Sequence, residues 1–221
     1  MLSQEKIWDD SYKNKDNFLL YPSEHVVRFF NNFIYKIKDF KVTDTKLNVL
    51  DLGCGVGRHL VFFGKKKCDI IGYDISIEAL RLAKENLEIN ELKKFKLTNN
   101  LESENIKNNN IDVVVCHGVL DSMSEEDAKK NIQYVKLKLK KNGLFYVEVI
   151  GKKTSKPKSS KLSNDSYLIK TKHEYNTIQS YFDDDKIKKY FKDFTILKKY
   201  TVTEKNKKNV YEQYILIMKK K

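Results

Sequence analysis

Three glycines at alternate positions, Gly53, Gly55 and Gly57, follow the short apolar run Asn48-Val-Leu-Asp51-Leu and open a segment with helical spacing. A strand that turns through glycines into a helix suits a nucleotide-binding loop, because the missing Cβ frees φ and lets a ligand approach the backbone. A dinucleotide fingerprint also needs a small third residue five positions after its first glycine. From Gly53 that place is Arg58 and from Gly55 it is Leu60, so the dinucleotide reading fails on spacing. A second acid, Asp74, ends the next apolar run, Cys68-Asp-Ile-Ile-Gly-Tyr.

His117 is the first candidate base. It stands just beyond the fourth apolar run, at the edge where open α/β sheets bind ligands. A histidine satisfied by a backbone carbonyl is the competing reading. Asp183-Asp-Asp185 reads as an acidic cluster at the positive end of a following helix, not as a metal site. Cys54, Cys68 and Cys116 are odd in number, lack CxxC spacing and sit in or beside apolar segments. They fit small buried hydrophobes better than a disulfide framework or a zinc site. No metal is expected.

The elements that must hold these residues alternate. Ser23 to Lys38 has helical spacing; Asn48 to Leu52 is a buried strand; Gly57 to Lys66 is a helix; Cys68 to Asp74 is a second strand. Ser76 caps an amphipathic helix to Asn90 that points Leu80, Ala83 and Leu87 inward. Lys94 to Thr98, Ile111 to Cys116 and Leu144 to Ile150 read as strands three to five, with a helix over Glu125 to Lys140. Strand-helix alternation demands a parallel sheet covered on both faces. At the end of the chain, Phe194 to Val202 and Val210 to Met218 are separated only by a Lys/Asn-rich turn and must pair as a hairpin. The expected fold is α/β: a doubly wound, seven-stranded, mostly parallel sheet with an antiparallel C-terminal hairpin and helices on both faces. One domain over 1–221 is expected, with a helical lid (1–40), a core (46–150), an insertion (151–180) and the last helix and hairpin (181–221). Gly151 to Ser166, rich in Lys, Ser and Thr and holding Pro157, reads as a mobile loop.

The acidic-x-Gly-x-Gly-x-Gly spacing of Asp51, Gly53, Gly55 and Gly57 resembles the first motif of the class I, Rossmann-like S-adenosylmethionine-dependent methyltransferases. Gly57-Arg58-His59-Leu60 is similar to a variant found in bacterial enzymes acting on small molecules, and Asn110-Ile-Asp112-Val-Val-Val-Cys-His-Gly-Val-Leu120 looks like the family's fourth-strand signature. Met1 to Lys38, with Trp8, Tyr12 and Tyr21-Pro22-Ser23-Glu24, looks like its lid. The resemblance implies S-adenosylmethionine as cofactor and S-adenosylhomocysteine as product. It puts the glycines beneath the methionine part and Asp74 on the ribose hydroxyls, with Arg58, Ile75, Cys116 and Tyr12 also on the cofactor. Relatives hold the adenine amino group with an Asp about twelve residues before the fourth-strand acid; here Asn100, beside Leu101, stands in that place, or Asn99 one register earlier. Tyr21, His25, His173 and Tyr175 are candidates to line the acceptor site. The place that begins Asn-Pro-Pro-Tyr in amino-methylating relatives reads His117-Gly-Val-Leu here, which disfavours that chemistry.

The formal charge is +13, from 43 basic and 30 acidic residues. That invites a nucleic-acid partner. Only Arg28, Arg58 and Arg81 are arginines, however, and the lysines are spread along the chain. A solvated surface and a small anionic acceptor are therefore favoured over RNA. With 40% hydrophobic residues, thirteen tyrosines and twelve phenylalanines the chain can bury a core. Met1 to Asp10 lacks the apolar centre of a signal peptide, so a cytoplasmic protein with no membrane contact is expected. The leading expectation is methyl transfer to a polar or anionic small molecule, such as a sugar, a sugar nucleotide or a phosphate-containing metabolite of surface-polysaccharide synthesis. An RNA methyltransferase and an inactive cofactor-binding module are the alternatives.

Overall fold

The computed structural model describes residues 3–35, 46–102, 106–163, 165–172 and 174–221. In chain order the strands are β1 (Asn48–Leu52), β2 (Asp69–Tyr73), β3 (Phe95–Thr98), β4 (Ile111–His117), β5 (Leu139–Ile150), β6 (Ser159–Lys161), β7 (Ser166–Ile169), β8 (Ile178–Ser180), β9 (Phe194–Lys205) and β10 (Val210–Lys220). The α-helices are α1 (Gln4–Lys13), α2 (Glu24–Phe29), α3 (Arg58–Lys65), α4 (Ile77–Ile89), α5 (Glu125–Lys138) and α6 (Asp184–Tyr190). The main sheet has seven strands in the order β3-β2-β1-β4-β5-β10-β9. Strands β1 to β5 run parallel, while β10 is antiparallel to both β5 and β9. The order reverses between β1 and β4, and a crevice at the carboxyl ends of the strands is the geometric consequence.

Alternation along the strands divides the apolar side chains between two faces. On β4, Val114 and Cys116 join Leu50, Phe145 and Val147 beneath α5 and α6. Val113 and Val115 join Val49, Tyr146, Phe29 and Phe63 beneath α2 and α3. Caps fix where helices begin: Ser76 Oγ accepts from Ala79 N, Ser124 Oγ from Asp127 N, and Asp183 Oδ1 from Lys186 N. The acidic triplet at 183–185 is thus the start of a helix, as its sequence indicates. Cys54 and Cys116 are buried and Cys68 half-buried, all with free thiols.

Two expectations need correction. The segment 151–166 is not all loop: Ser159–Lys161 is β6, which joins β7 and β8 in a three-stranded antiparallel sheet. Strands of three or four residues are too short to show a recognisable alternation. The helix from Ser23 changes character at Phe30, where α2 passes into a π-helical stretch, Phe30–Tyr35. The rest of that expected helix, to Lys38, lies outside the described residues. No helix among the described residues is long and apolar enough to cross a membrane.

Candidate active site

Strand β1 delivers the chain into a turn in which Gly53, Gly55 and Gly57 all have positive φ, +73°, +52° and +79°. Side chains rarely adopt that region, so glycine is required at each place. The turn is also crowded. A Cβ on Gly53 would sit 2.3 Å from Val119 Cγ2, and one on Gly55 would sit 2.8 Å from the Tyr12 hydroxyl. Gly53 and Cys54 donate to the Tyr73 carbonyl at the end of β2. The loop is therefore anchored to the strand that carries Asp74.

Asp74 is buried, and its two oxygens accept from Gly55 N (2.8 Å) and Ser76 N (2.9 Å). Burial raises its pKa to about 6, more than these backbone donors lower it, with Asp51 and Asp9 adding like charge. Helix α1 reaches the same corner: Asp9 Oδ1 accepts from Ser76 Oγ (2.5 Å) and Glu78 N (3.1 Å), fixing α1 to the start of α4.

A cavity of about 480 Å³ opens at the carboxyl ends of β1, β2 and β4, a size typical of small-molecule sites. Its wall holds Gly53, Gly55, Arg58, Asp74, Ile75, Tyr12 and His117 from the set singled out in the sequence. Trp8 and Leu19 of the lid complete it, with Val119, Met123, Asp127, Asn131, Glu174 and Tyr211 from elsewhere. Gln4 Nε2 donates to the Asn176 carbonyl (3.3 Å), so lid and insertion meet over the cavity.

At one end of the cavity five side chains form a connected series of polar contacts. Arg58 Nη2 lies 3.2 Å from His117 Nδ1, and His117 Nε2 lies 3.2 Å from Glu148 Oε1. Glu148 Oε2 accepts from the Tyr146 hydroxyl (2.7 Å), and Oε1 also accepts from Gln213 Nε2 (2.9 Å). His117 and Glu148 are register partners on the parallel strands β4 and β5, so the sheet itself sets their approach. Burial pushes the Glu148 carboxyl up, but the bonds from His117 and Tyr146 bring it below the usual carboxylate range. Burial lowers the Arg58 pKa, against the pull of Asp51 and Glu148. Among the described residues no carboxylate lies within ion-pair distance of Arg58.

His59, one residue on, has a different task. Its Nε2 accepts from Ser23 N (3.3 Å), which leaves the proton on Nδ1, facing buried Asp51 Oδ2 at 3.7 Å. Burial keeps its pKa low. It pins the start of α2 to the glycine loop.

Other expected site residues stand apart from the cavity wall. Asn100 is exposed; its Oδ1 accepts from Glu102 N and its N–H donates to Thr98 Oγ1, closing a turn. Leu101 packs against the core, and Cys116 is wholly inside it. Asp51 and Gly57 support the loop from behind. Tyr21 is 84% exposed and meets Arg58 only through its carbonyl (3.4 Å), His25 is half-buried on α2, and Tyr175 is exposed beneath the Lys170 ammonium. His173 lies outside the described residues. Glu148, which its place on the fifth strand leaves to face either the pocket or solvent, is joined to His117 by strand register, while Tyr146 and Gln213 carried no local motif and reach His117 only through Glu148.

A family model described as a methyltransferase domain matches residues 43–210, well over half of the chain. The chain belongs to the class I S-adenosylmethionine-dependent methyltransferases. This methyltransferase superimposes on an S-adenosylmethionine-dependent methyltransferase of Methanosarcina mazei with a TM-score of 0.67 at 20% identity, over 84% of this chain and 97% of that one. It superimposes on the magnesium protoporphyrin IX methyltransferase of Synechocystis, solved with S-adenosylmethionine bound, with a TM-score of 0.66 at 15% identity over 100% and 99%. At such identities the likeness is one of fold. In sequence, an uncharacterised protein of Rickettsia prowazekii is 28% identical over 102 residues, 45% of this chain and 41% of that relative, so the match spans under half the relative's length.

S-adenosylmethionine is the cofactor of the methyltransferase, and the residues present fit it. Asp74 keeps lone pairs beyond the two that meet Gly55 and Ser76. Beside His117, a Cβ on Gly118 would meet nothing within 4 Å, so the cavity has room there.

Proposed function

We propose that the methyltransferase acts on a hydroxyl of a small, polar, anionic acceptor, with His117 as the base. The observation that carries this reading is the contact series Arg58–His117–Glu148, which runs from the cavity wall to a buried carboxylate and joins a cation to a carboxylate-backed imidazole. Asp74 would hold the ribose hydroxyls, Ile75 and Val119 would flank the purine, and the glycine turn would carry the amino-acid end.

S-adenosylmethionine supplies a methyl group on a sulfonium and leaves as a neutral thioether, so the protein's work is alignment and proton removal. His117 takes the acceptor's O–H proton as the new O–C bond forms, and Glu148 stabilises the resulting imidazolium. Trp8, Leu19 and the other lid residues exclude water from the site. Arg58 favours a carboxylate or phosphate on the acceptor. Sugars, sugar nucleotides and phosphate-containing metabolites of surface-polysaccharide synthesis meet that description.

An RNA-directed reading would place lysines around the cavity. Among the described residues the lining holds one cation, Arg58, with Asp74, Asp127 and Glu174, and no lysine. The test is transfer of a labelled methyl group to a panel of hydroxyl compounds with and without an anionic group, alongside bulk RNA. Labelling of anionic hydroxyl compounds alone is expected; labelling of RNA alone would overturn the proposal.

A further inference from the structure

We propose that Arg58 masks the base: it holds the lone pair of His117 Nδ1 until an anion claims the guanidinium. The proposal rests on the reading of His117 as a base, and adds to it a tautomer and a trigger. Arginine has only donors, and it stays charged in proteins. At 3.2 Å from Arg58 Nη2, His117 Nδ1 can only be the acceptor, since two N–H groups cannot face each other at that distance. The His117 proton is therefore on Nε2, where Glu148 Oε1 receives it at 3.2 Å. Glu148 is in turn held by Tyr146 and Gln213, so the imidazole has one orientation and one tautomer. It is a positioning residue, acting through His117.

This arrangement gives Nδ1 the basic lone pair and at once covers it. The ring's other neighbours do not offer a second trigger: the His59 ring lies tilted at 5.3 Å with its own proton turned to Asp51, while buried Asp121 and half-buried His25 stand behind the array. Arg58 is the movable partner, a long side chain held otherwise by the Tyr21 carbonyl at 3.4 Å. A carboxylate or phosphate entering the cavity offers Arg58 a charged, bidentate partner in place of a neutral nitrogen, and wins. The ligand chemistry is an anion; its source is the amino-acid end of the cofactor or an anionic group on the acceptor. In either case proton removal begins only once the site is filled.

The test reads the side-chain nitrogens of His117 by long-range proton–nitrogen NMR on the full chain. In the free protein the proton is expected on Nε2 with Nδ1 bare. In Arg58→Gln the titration midpoint of His117 should rise by about one pH unit, because a cation and a donor to the neutral ring are both removed. In Glu148→Gln it should fall, and the tautomer preference should weaken. The wild-type protein carries the trigger arm, so the test survives poor folding of either variant. If the cofactor supplies the anion, S-adenosylhomocysteine raises the midpoint and 5′-methylthioadenosine, which lacks the carboxylate, does not. If the acceptor supplies it, inorganic phosphate raises the midpoint of the S-adenosylhomocysteine complex. A proton on Nδ1 in the free protein, or a midpoint unmoved by all three probes, overturns the mask. Full turnover in His117→Asn would instead remove the base reading beneath it.

Discussion

Gly55 N donates to Asp74 Oδ2 at 2.8 Å, so the glycine turn and the acid that ends β2 are one hydrogen-bonded unit. The turn can reach that carboxylate because φ at Gly55 is +52° and no Cβ stands between them and Tyr12. In the proposed role of Asp74, the carboxylate that would hold the ribose is thus fixed by the same backbone turn that would carry the rest of the cofactor.

The raised pKa of Asp74 predicts a pH profile for cofactor binding. The carboxyl of the free protein titrates at about 6, and in the proposed role its ionised form would hold the ribose diol. Affinity for S-adenosylmethionine should be flat above about pH 7 and fall about tenfold per unit below pH 6, as binding must first remove the proton. Calorimetric titrations from pH 5 to 8 check this; a flat profile would contradict the assignment.

Stability should run the opposite way. Asp74 and Asp121 both titrate at about 6 in the folded chain against 3.8 for the ordinary group, because both are buried. A carboxyl raised by folding contributes stability that is fully present below the unfolded value and lost as pH rises through the folded one. Melting temperature measured without ligand should therefore show a downward component between about pH 4 and 6, levelling above the folded value. Asp121→Asn removes the charge and keeps an oxygen for Ile150 N, which donates at 2.9 Å. It should flatten that component and raise the melting temperature at pH 8.

Gly55→Ala should destabilise the fold by about 1–3 kcal/mol, since it combines a strained φ with a clash at the Tyr12 hydroxyl. Adding Tyr12→Phe should recover the steric share and leave the backbone share. Urea unfolding of the two single variants and the double variant separates them. Strict additivity would mean that Tyr12 does not press on the turn.

The lid latch is tested by Asp9→Ala. Loss of the acceptor for Ser76 Oγ and Glu78 N should cost about 1–2 kcal/mol, concentrated where α1 meets α4. Hydrogen exchange in α1 should accelerate while β4 and β5 stay protected, and bound S-adenosylmethionine should leave faster. Unchanged exchange in α1 would show that other contacts hold the lid.

His117→Asn should bind S-adenosylmethionine normally and lose about 10²–10⁴-fold in turnover, the range typical of a lost acid–base group. Equal losses in binding and turnover would make His117 a cofactor contact instead.

Much of this was legible in the chain. The apolar runs ending in Asp51 and Tyr73, the capped helix from Ser76 and the final hairpin are long or well punctuated, and local pattern decides them. The glycine turn was legible because positive φ leaves few alternatives to glycine. The Arg58–His117–Glu148–Tyr146 array was only half legible. Its members come from three elements, and parallel register, which pairs His117 with Glu148, leaves no local mark in the sequence. Asn100 misled for the opposite reason: its position matched, but its amide closes the turn after β3 onto Glu102 N instead of facing the cavity. The sheet of β6, β7 and β8 escaped notice because its strands are only three or four residues long, too short for an alternation to show.

The most direct measurement is calorimetric titration of S-adenosylmethionine into wild-type protein, Asp74→Ala and Asp74→Asn at pH 7.5, with circular dichroism confirming an intact fold. At least a tenfold loss of affinity is expected in both variants. Wild-type affinity in a folded Asp74 variant would contradict the idea that this carboxylate holds the cofactor.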